Sequence, residues 1–333
     1  MKTILAFLAV AATIPHASAQ LRAYLPYAGR WDLTIQTPTE TYPAWMEVSD
    51  RDGVVTIVVV GKEGGLHGSD RVRLEPLPVT TEPGLNDSAV RMGDKTVATR
   101  LAFSTVENFG RQVSVEWAIE SAGNKVTGTQ KRGDGVEGKI TGEHAPSLKR
   151  KPPAKWSAPE PLFNGKDLTG WEPMGGGENH WKAEDGTLVN VSAGANLRST
   201  RKLDDFKLHA EFNCPRGCNS GIFLRGRYEL QIEYGAKTAA ETSRGMGAIF
   251  GFLAPSVTTP PTPGEWENLD VTLVGRTVTV VRNGVTIIDS KPIPGITGGA
   301  IDSREALPGP IYLQGDATNG IGFRKIEISV PSK

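Results

Sequence analysis

The sequence predicts an all-β protein, and three observations lead to this fold class. The 333-residue chain contains 39 glycines and 23 prolines, which are spread between short runs of β-type residues. Few windows show helical periodicity, whereas many segments alternate apolar and polar side chains. The pair Asn283-Gly284 lies between two such segments, which is a strong hairpin signal. We therefore expect a small antiparallel β-barrel-like unit followed by a jelly-roll β-sandwich.

The first residues have the pattern of an export signal. Lys2 supplies a positive charge, residues 4–14 form an apolar run too short to span a bilayer, and Ala17-Ser18-Ala19 fits a cleavage site. We expect a signal peptide, residues 1–19, cleaved after Ala19, and an exported protein that is periplasmic or secreted.

Composition excludes two classes of partner. The 37 basic residues balance 37 acidic ones, so there is no electrostatic footprint for nucleic acid. No stretch after the signal peptide is long and apolar enough for membrane insertion.

Residues 20–148 are the predicted barrel. Gly29 and Trp31 open its first strand, and this Gly-x-Trp start is similar to that of a lipocalin-like barrel, where packing of the tryptophan closes one end. His67 and His144 are isolated, and no residue of this unit carries recognisable chemistry. This unit either binds substrate or docks on the second unit. A basic, proline-containing linker follows at 149–160.

Cys214 and Cys218 are the two cysteines of the chain. In an oxidising compartment we expect a disulfide between them, which would fix the loop that leads into Asn219. Metal binding is the alternative, but there are no nearby His or Cys partners.

The strands after Cys218 carry polar residues with a period of two. Glu229, Gln231 and Glu233 alternate with apolar residues, and counting by two places Arg225 on the same side as Phe223. If the two strands pair, these residues share one face. That face is either a solvated surface or the floor of a site.

Residues 161–331, the second unit, contain a set of motifs that are specific when taken together. They lie at 163–171, 219–222, 225, 228–232, 264–266, 283–284, 309–316 and 323–324. In these motifs the chain resembles the 3-keto-disaccharide hydrolase domain family, which implies a concanavalin- or laminin-G-like sandwich. Members often have a histidine after the aspartate that matches Asp316, whereas this chain has Ala317. The role of that histidine is vacant here or filled elsewhere.

The resemblance implies a substrate that is a glycoside oxidised to a ketone at C3. The ketone acidifies the C2 proton, so a base removes it, the C1 aglycone leaves by elimination, and water adds to the resulting enone. Such a site needs a base, a stabiliser of the enolate oxygen and an acid for the leaving group. Direct hydrolysis by two carboxylates is the competing mechanism.

The candidate residues follow if the polar faces of three strands form one concave surface. We expect Glu229 to be the catalytic base or acid and Arg225 to stabilise the enolate or bind hydroxyl groups of the sugar. The expected substrate-binding residues are Asn219, Gln231, Gln314, His209, Glu211, Glu305 and Asp316. A divalent metal stays open, because His209 and Glu211 occupy positions i and i+2 of one strand.

Structural explanations compete with these roles. Alternating Glu and Gln residues usually face solvent, and Arg225 could simply pair with Glu229. Trp171, Trp181 and Trp266 are either stacking platforms for a sugar or core residues. Two other functions are compatible with the same fold: a non-catalytic carbohydrate-binding module and a surface-interaction protein. The oligomeric state is open.

Overall fold

The structure is a computed structural model that describes residues 24–51, 54–62, 64–76, 89–92, 95–108, 111–234, 239–257, 260–315 and 320–332. It confirms the predicted all-β fold class, with a nearly closed barrel-like sheet followed by the two sheets of a sandwich. The predicted signal peptide, residues 1–19, and Asp316 lie outside the described residues. No helix within the described ranges is long and apolar enough to cross a membrane.

The first sheet is antiparallel throughout and is built from ten strands of the described chain. These are β1 Gly29–Gln36, β2 Thr41–Arg51, β3 Val54–Val60, β4 Leu66–Gly68, β5 Asp70–Pro76, β6 Ala89–Met92, β7 Lys95–Asn108, β8 Gln112–Ala122, β9 Lys125–Arg132 and β10 Glu137–His144. Their order is β4-β3-β2-β1-β10-β9-β8-β7-β5, with β6 paired to β7. We call this sheet the barrel.

Alternation along β1 explains why the barrel has a filled interior and an outer face that can be used for docking. Trp31, Leu33 and Ile35 are fully buried in the barrel core. Asp32 and Thr34 point to the other side of the same strand, where they meet the second unit. The predicted packing role of Trp31 therefore holds, and its indole nitrogen donates to the carbonyl oxygen of Tyr27 at 2.8 Å.

Strand β10 shows only a weak apolar alternation in the sequence, because its inward positions include two glycines. A Cβ at Gly138 would lie 2.9 Å from Ile35, and one at Gly142 would lie 2.5 Å from Leu33. The large side chains of β1 thus fill the space that β10 leaves. Strand β10 nevertheless pairs with β1 from Trp31 opposite His144 to Gln36 opposite Lys139.

The second unit contains a short strand, β11, and twelve further strands. They are β11 Glu160–Pro161, β12 Trp171–Met174, β13 Trp181–Glu184, β14 Thr187–Asn190, β15 Asn196–Leu203, β16 Phe206–Asn213, β17 Asn219–Leu224, β18 Tyr228–Glu233, β19 Trp266–Val274, β20 Thr277–Arg282, β21 Val285–Pro292, β22 Gly309–Leu313 and β23 Ile321–Ser329.

These strands form two sheets with one core between them. The β16 sheet has the order β13-β14-β23-β16-β19-β20-β21, with β11 on β23, and the β17 sheet has the order β12-β15-β22-β17-β18. The core is filled from both sheets, for example by Leu208 and Phe212 of β16 and by Ile222, Leu224 and Leu230 of the β17 sheet. The face of the β17 sheet that is turned away from this core carries the polar residues, and we call it the polar face.

Candidate functional site

Strand register brings the polar residues of four strands together on the polar face. Arg198 of β15 pairs with Tyr312 of β22, Tyr312 with Phe223 of β17, and Phe223 with Glu229 of β18. Partners in register project to the same side, so these four residues form a row across the sheet.

The next row contains Gln314, Gly221 and Gln231. Gly221 pairs with Gln231, and the backbone nitrogen of Gln314 donates to the carbonyl oxygen of Gly221 at 2.9 Å. The predicted common face of the two strands after Cys218 is therefore present.

Glu229 is the nearly buried carboxylate of this face, with 6% of the residue exposed. A Cβ placed on Gly221 would lie 2.9 Å from its Oε1. The carboxylate thus extends over Gly221 into the second row, between Gln231 and Gln314. The backbone nitrogen of Glu229 donates to Thr297 Oγ1 at 2.9 Å, which ties the strand at this position to a covering loop.

Two aromatic rings lie next to Glu229 in its row, both on the side of β17. Phe223 and Tyr312 stack with their ring centres 3.8 Å apart, and the Tyr312 hydroxyl donates to the carbonyl oxygen of Gly299. Burial raises the pKa of Tyr312 well above its ordinary value, and the charge of Glu229 raises it further. The hydroxyl group therefore stays protonated, and the carboxylate has an apolar wall on one side.

Two side-chain amides of the second row have acceptor oxygens without a partner in the described part of the chain. Gln231 donates through Nε2 to Asn219 Oδ1 and to Glu233 Oε2, both at 2.9 Å. Its Oε1 and the Oε1 of Gln314 are buried and have no hydrogen-bond partner among the described residues. Unpaired buried acceptors are costly, and hydroxyl groups of a sugar are donors that would satisfy them.

Segment 247–250 extends the polar face beyond β18. The backbone nitrogen of Phe250 donates to the carbonyl oxygen of Glu229 at 3.0 Å, and Gln231 is bonded to the same segment through both of its backbone groups. Ile249 forms a bridge to the core-facing side of β18 and lies in the core. Phe250 therefore points to the polar face, next to Glu229.

Arg225 does not stand beside Glu229, which corrects the expectation drawn from counting by two. Strand β17 ends at Leu224, and Arg225 has a φ of 51°, so the strand alternation stops before it. Its fully buried guanidinium donates to the Tyr228 hydroxyl at 3.0 Å, to the carbonyl oxygen of Glu305 at 3.0 Å and to Asp204 at 3.1 Å. Through these contacts Arg225 packs into the turn between β17 and β18.

His209 and Glu211 lie on a different surface from Glu229, so the expectation of one shared face is wrong for their strand. Their strand, β16, belongs to the other sheet, and both side chains point away from the core. His209 Nδ1 lies 2.7 Å from Asp270, and Glu211 accepts from Arg324 and Lys325 at 2.5 Å each. Within the described residues no three His, Cys, Asp or Glu side chains lie close enough together to hold a metal ion.

The tryptophans proposed as sugar platforms lie off the polar face. Trp171 and Trp181 are buried in the sandwich core, and their indole nitrogens donate to backbone carbonyl oxygens. Trp266 is 38% exposed on the outer side of the β16 sheet, where the Arg324 guanidinium lies 4.0 Å from the centre of its ring.

The predicted disulfide between Cys214 and Cys218 is confirmed. Both cysteines are fully buried, and the loop that they close is bonded to Tyr234 at the end of β18. Because β17 begins at Asn219 directly after the loop, the bridge fixes the strand end that supplies the partner of Gln231.

Glu305 is fully buried at the junction with the barrel, away from the polar face. It accepts from the Tyr228 hydroxyl at 2.7 Å and forms an ion pair with Arg276 at 3.2 Å. Asp32 of β1 faces it across the junction. Burial is the largest cause that raises the pKa of Asp32, which reaches about 9. The charge of Glu305 and its hydrogen bond to Asp32 act in the same direction, whereas the charge of Arg276 lowers this pKa.

A cleft of about 610 Å³ adjoins this carboxyl pair and is lined by residues of both units, including Thr34, Thr127, Thr141 and Ser303. Sequence reasoning missed Asp32 altogether. An aspartate at an outward position of a barrel strand looks like an ordinary solvent-facing residue.

Comparison with known proteins assigns the second unit. A family model described as "3-keto-alpha-glucoside-1,2-lyase-like domain" matches residues 158–329. The chain belongs to this family. The predicted resemblance is therefore confirmed, and membership of the 3-keto-alpha-glucoside-1,2-lyase-like family supports a glycan-processing enzyme. The match includes every strand of the polar face.

Solved structures similar to the chain include proteins of Parabacteroides distasonis ATCC 8503 that carry the name "putative glycosyl hydrolase". One is 28% identical over 54% of this chain and 92% of its own, with a TM-score of 0.45. Another is 25% identical over 52% of this chain and 98% of its own, with a TM-score of 0.40. No curated protein matches the chain significantly. The assignment to the 3-keto-alpha-glucoside-1,2-lyase-like family therefore rests on the family model.

Proposed function

We propose that the chain is an exported enzyme that cleaves 3-keto-glycosides on the polar face of the β17 sheet. One observation carries this proposal. The carboxylate of Glu229 extends over Gly221, between the amide side chains of Gln231 and Gln314, whose acceptor oxygens have no partner among the described residues. A base next to unsatisfied acceptors is the arrangement that a sugar with an acidified C–H bond requires.

In this proposal Glu229 removes the proton from C2 of the keto-sugar. Gln231 and Gln314 accept hydrogen bonds from ring hydroxyl groups, which holds the C2–H bond toward the carboxylate. The enolate that forms expels the C1 aglycone, which takes up the proton held by Glu229 or a proton from water. Water then adds to the enone, with its hydroxyl group on C1 and a proton on C2. The sum of these two steps is hydrolysis.

Arg225 does not serve the enolate oxygen in this proposal. Arg198 lies on the polar face in the same row as Glu229, where it pairs with Glu172 at 2.7 Å and is partly exposed. Three strand spacings, about 14 Å, separate Arg198 from Glu229, with Tyr312 and Phe223 between them, so we assign Arg198 to a part of the substrate remote from C2.

Direct hydrolysis by two carboxylates is the competing mechanism on this face. Glu233 is the next carboxylate on the polar face along β18, and its Oε2 accepts from Gln231 Nε2 at 2.9 Å. A second carboxylate beside the row that Glu229 reaches is what direct hydrolysis would require.

The test is turnover of a 3-keto-glucoside with a chromophoric aglycone by the purified protein and by Glu229→Gln. We expect release of the aglycone by the unmodified protein and a fall of about 10²–10⁴-fold in kcat/KM for the variant. Glu265→Gln is the matched control, because Glu265 is an exposed loop residue. Binding of unoxidised glycans without any turnover of the keto-glucoside would instead identify a carbohydrate-binding module.

Export is tested separately by the N-terminal sequence of the mature protein. We expect it to start at Gln20. A mature protein that retains Met1 would refute the exported location without bearing on the chemistry.

A further inference from the structure

Two loops of the sandwich cover the row that contains Glu229. Phe223, Tyr312 and Glu229 are nearly or fully buried, although they lie on the side of the sheet turned away from the core. Part of the cover is segment 293–301. Its Thr297 accepts from the backbone of Glu229, and a Cβ on its Gly299 would lie 2.9 Å from the Phe223 ring. The other part is segment 246–253, which runs beside β18 and carries Phe250.

The barrel packs directly on both of these loops through Trp45. This side chain of β2 is 1% exposed and projects from the outer face of the barrel. Its ring meets Phe252 edge-on with centres 5.4 Å apart. Gly295 approaches so closely that a Cβ would lie 2.1 Å from the Trp45 indole nitrogen, and Ile296 completes the same apolar cluster.

A glycine turn of the barrel reaches the same loops at a second point. Gly64 and Gly65 have φ values of 75° and 83°. A Cβ on Gly64 would lie 3.0 Å from the Cα of Gly298 and 3.3 Å from the Phe250 ring. A Cβ on Gly65 would lie 2.4 Å from Nη2 of Arg244. At Gly64 the backbone can pass Gly298 this closely only without a side chain, and both positive φ values favour glycine.

We propose that the N-terminal barrel is a working part of the candidate active site: through Trp45 and the Gly64-Gly65 turn it holds in place the two loops that enclose Glu229. The inference rests on the proposed function, because it assigns Glu229 to the chemistry. Trp45 is a positioning residue, since it contacts the loops and not the polar face itself.

Two features indicate that losing the barrel contacts would disturb the position of Glu229. The sandwich anchors segment 293–301 at Thr297, whose backbone nitrogen donates to the carbonyl oxygen of Arg227 at 2.9 Å, but the Gly295-Ile296 part of the loop packs on the barrel. A catalytic carboxylate must also be held within a fraction of an ångström of its productive position. Loosening the loop would free the covering groups of Glu229 while leaving the sheet beneath intact.

The experiment compares the full-length protein with Trp45→Ala, Trp45→Phe and Gly65→Ala. We expect Trp45→Ala to lower kcat/KM for the keto-glucoside at least 10-fold, and Trp45→Phe to restore most of it by refilling the contact with Phe252. Gly65→Ala should act in the same direction through strain at its positive φ and displacement of the Arg244 guanidinium. Gly68→Ala is the matched control, because a Cβ there meets nothing within 4 Å.

Hydrogen exchange supplies a readout that does not depend on turnover. In Trp45→Ala the backbone amides of Thr297 and Phe250 should lose protection, while amides within the barrel core, such as that of Leu33, keep theirs. Folded variants of Trp45 and Gly65 with unchanged kinetics or unchanged exchange would overturn the inference. If the unmodified protein fails to turn over the keto-glucoside, the proposed function fails, and the exchange data still decide whether the barrel holds the loops.

Discussion

Replacing Asp32 by asparagine should change how the stability of the protein depends on pH. Asp32 is 7% exposed, and its pKa is raised from 3.8 to about 9 in the folded protein. Between these values the unfolded chain has lost the proton and the folded chain keeps it. The folded state therefore binds more protons, and the free energy of unfolding falls as the pH rises.

The size of the effect follows from the shift. One pKa unit corresponds to about 1.4 kcal/mol, so the contribution of Asp32 falls by about 1.4 kcal/mol for each pH unit through this window. From pH 3.8 to neutral pH the loss amounts to about 4 kcal/mol. An asparagine side chain at this position cannot ionise, and its amide could donate to Glu305, so Asp32→Asn should be more stable than the unmodified protein near neutral pH.

Urea unfolding followed by tryptophan fluorescence, from about pH 5 to about pH 8, measures both slopes. We expect the unmodified protein to lose stability across this range and Asp32→Asn to lose about 1.4 kcal/mol less per pH unit. The control is Asp289→Asn at an exposed position, which should follow the unmodified protein. Equal slopes for Asp32→Asn and the unmodified protein would refute a protonated Asp32 at the junction.

Three further predictions concern the sandwich. Gly221→Ala should lower kcat/KM by about 10–100-fold with little change in Tm, because the new Cβ would lie 2.9 Å from the carboxylate of Glu229; an unchanged rate would place the chemistry elsewhere. Arg225→Lys should lower the free energy of unfolding in urea by about 3–5 kcal/mol, because it breaks a buried, hydrogen-bonded network. The kcat of the folded variant should stay unchanged. A large loss of kcat at normal stability would make Arg225 catalytic after all. Replacing Cys214 and Cys218 by serine should cost about 2 kcal/mol, the value for so short a loop, and a much larger loss of stability would show that the bridge does more than close it.

The sequence predicts those features of the site that depend on one strand or on two strands joined by a turn. Alternation in β18 places Glu229 and Gln231 on one face, and the structure bears this out because the strand is regular over its whole length. The placement of Arg225 fails because the rule stops where the strand stops, and a positive φ one residue later turns the side chain into the end of the sandwich.

His209 shows a different limit of the same reasoning. Counting by two along β16 correctly separates His209 from the core-facing Leu208. It gives no information on which of the two sheets contains the strand, and therefore none on whether its polar side meets that of β18. That information lies in the pairing of β16 with β19 and β23, which joins segments far apart in the sequence.

The docking surface of the barrel is only half visible in the sequence, and the reason is physical. Strand β2 contains Ala44-Trp45-Met46, a run that is apolar on both faces, and such runs mark strands that are covered on both sides. This signal points to Trp45 before any partner is known. Asp32 on the neighbouring strand gives no such signal, because a carboxylate at an outward position is the ordinary choice for a wet surface and becomes exceptional only when Glu305 is brought against it. Apolar contacts between units are thus predictable from one strand, whereas a buried carboxyl pair is a property of two surfaces that only the assembled fold brings together.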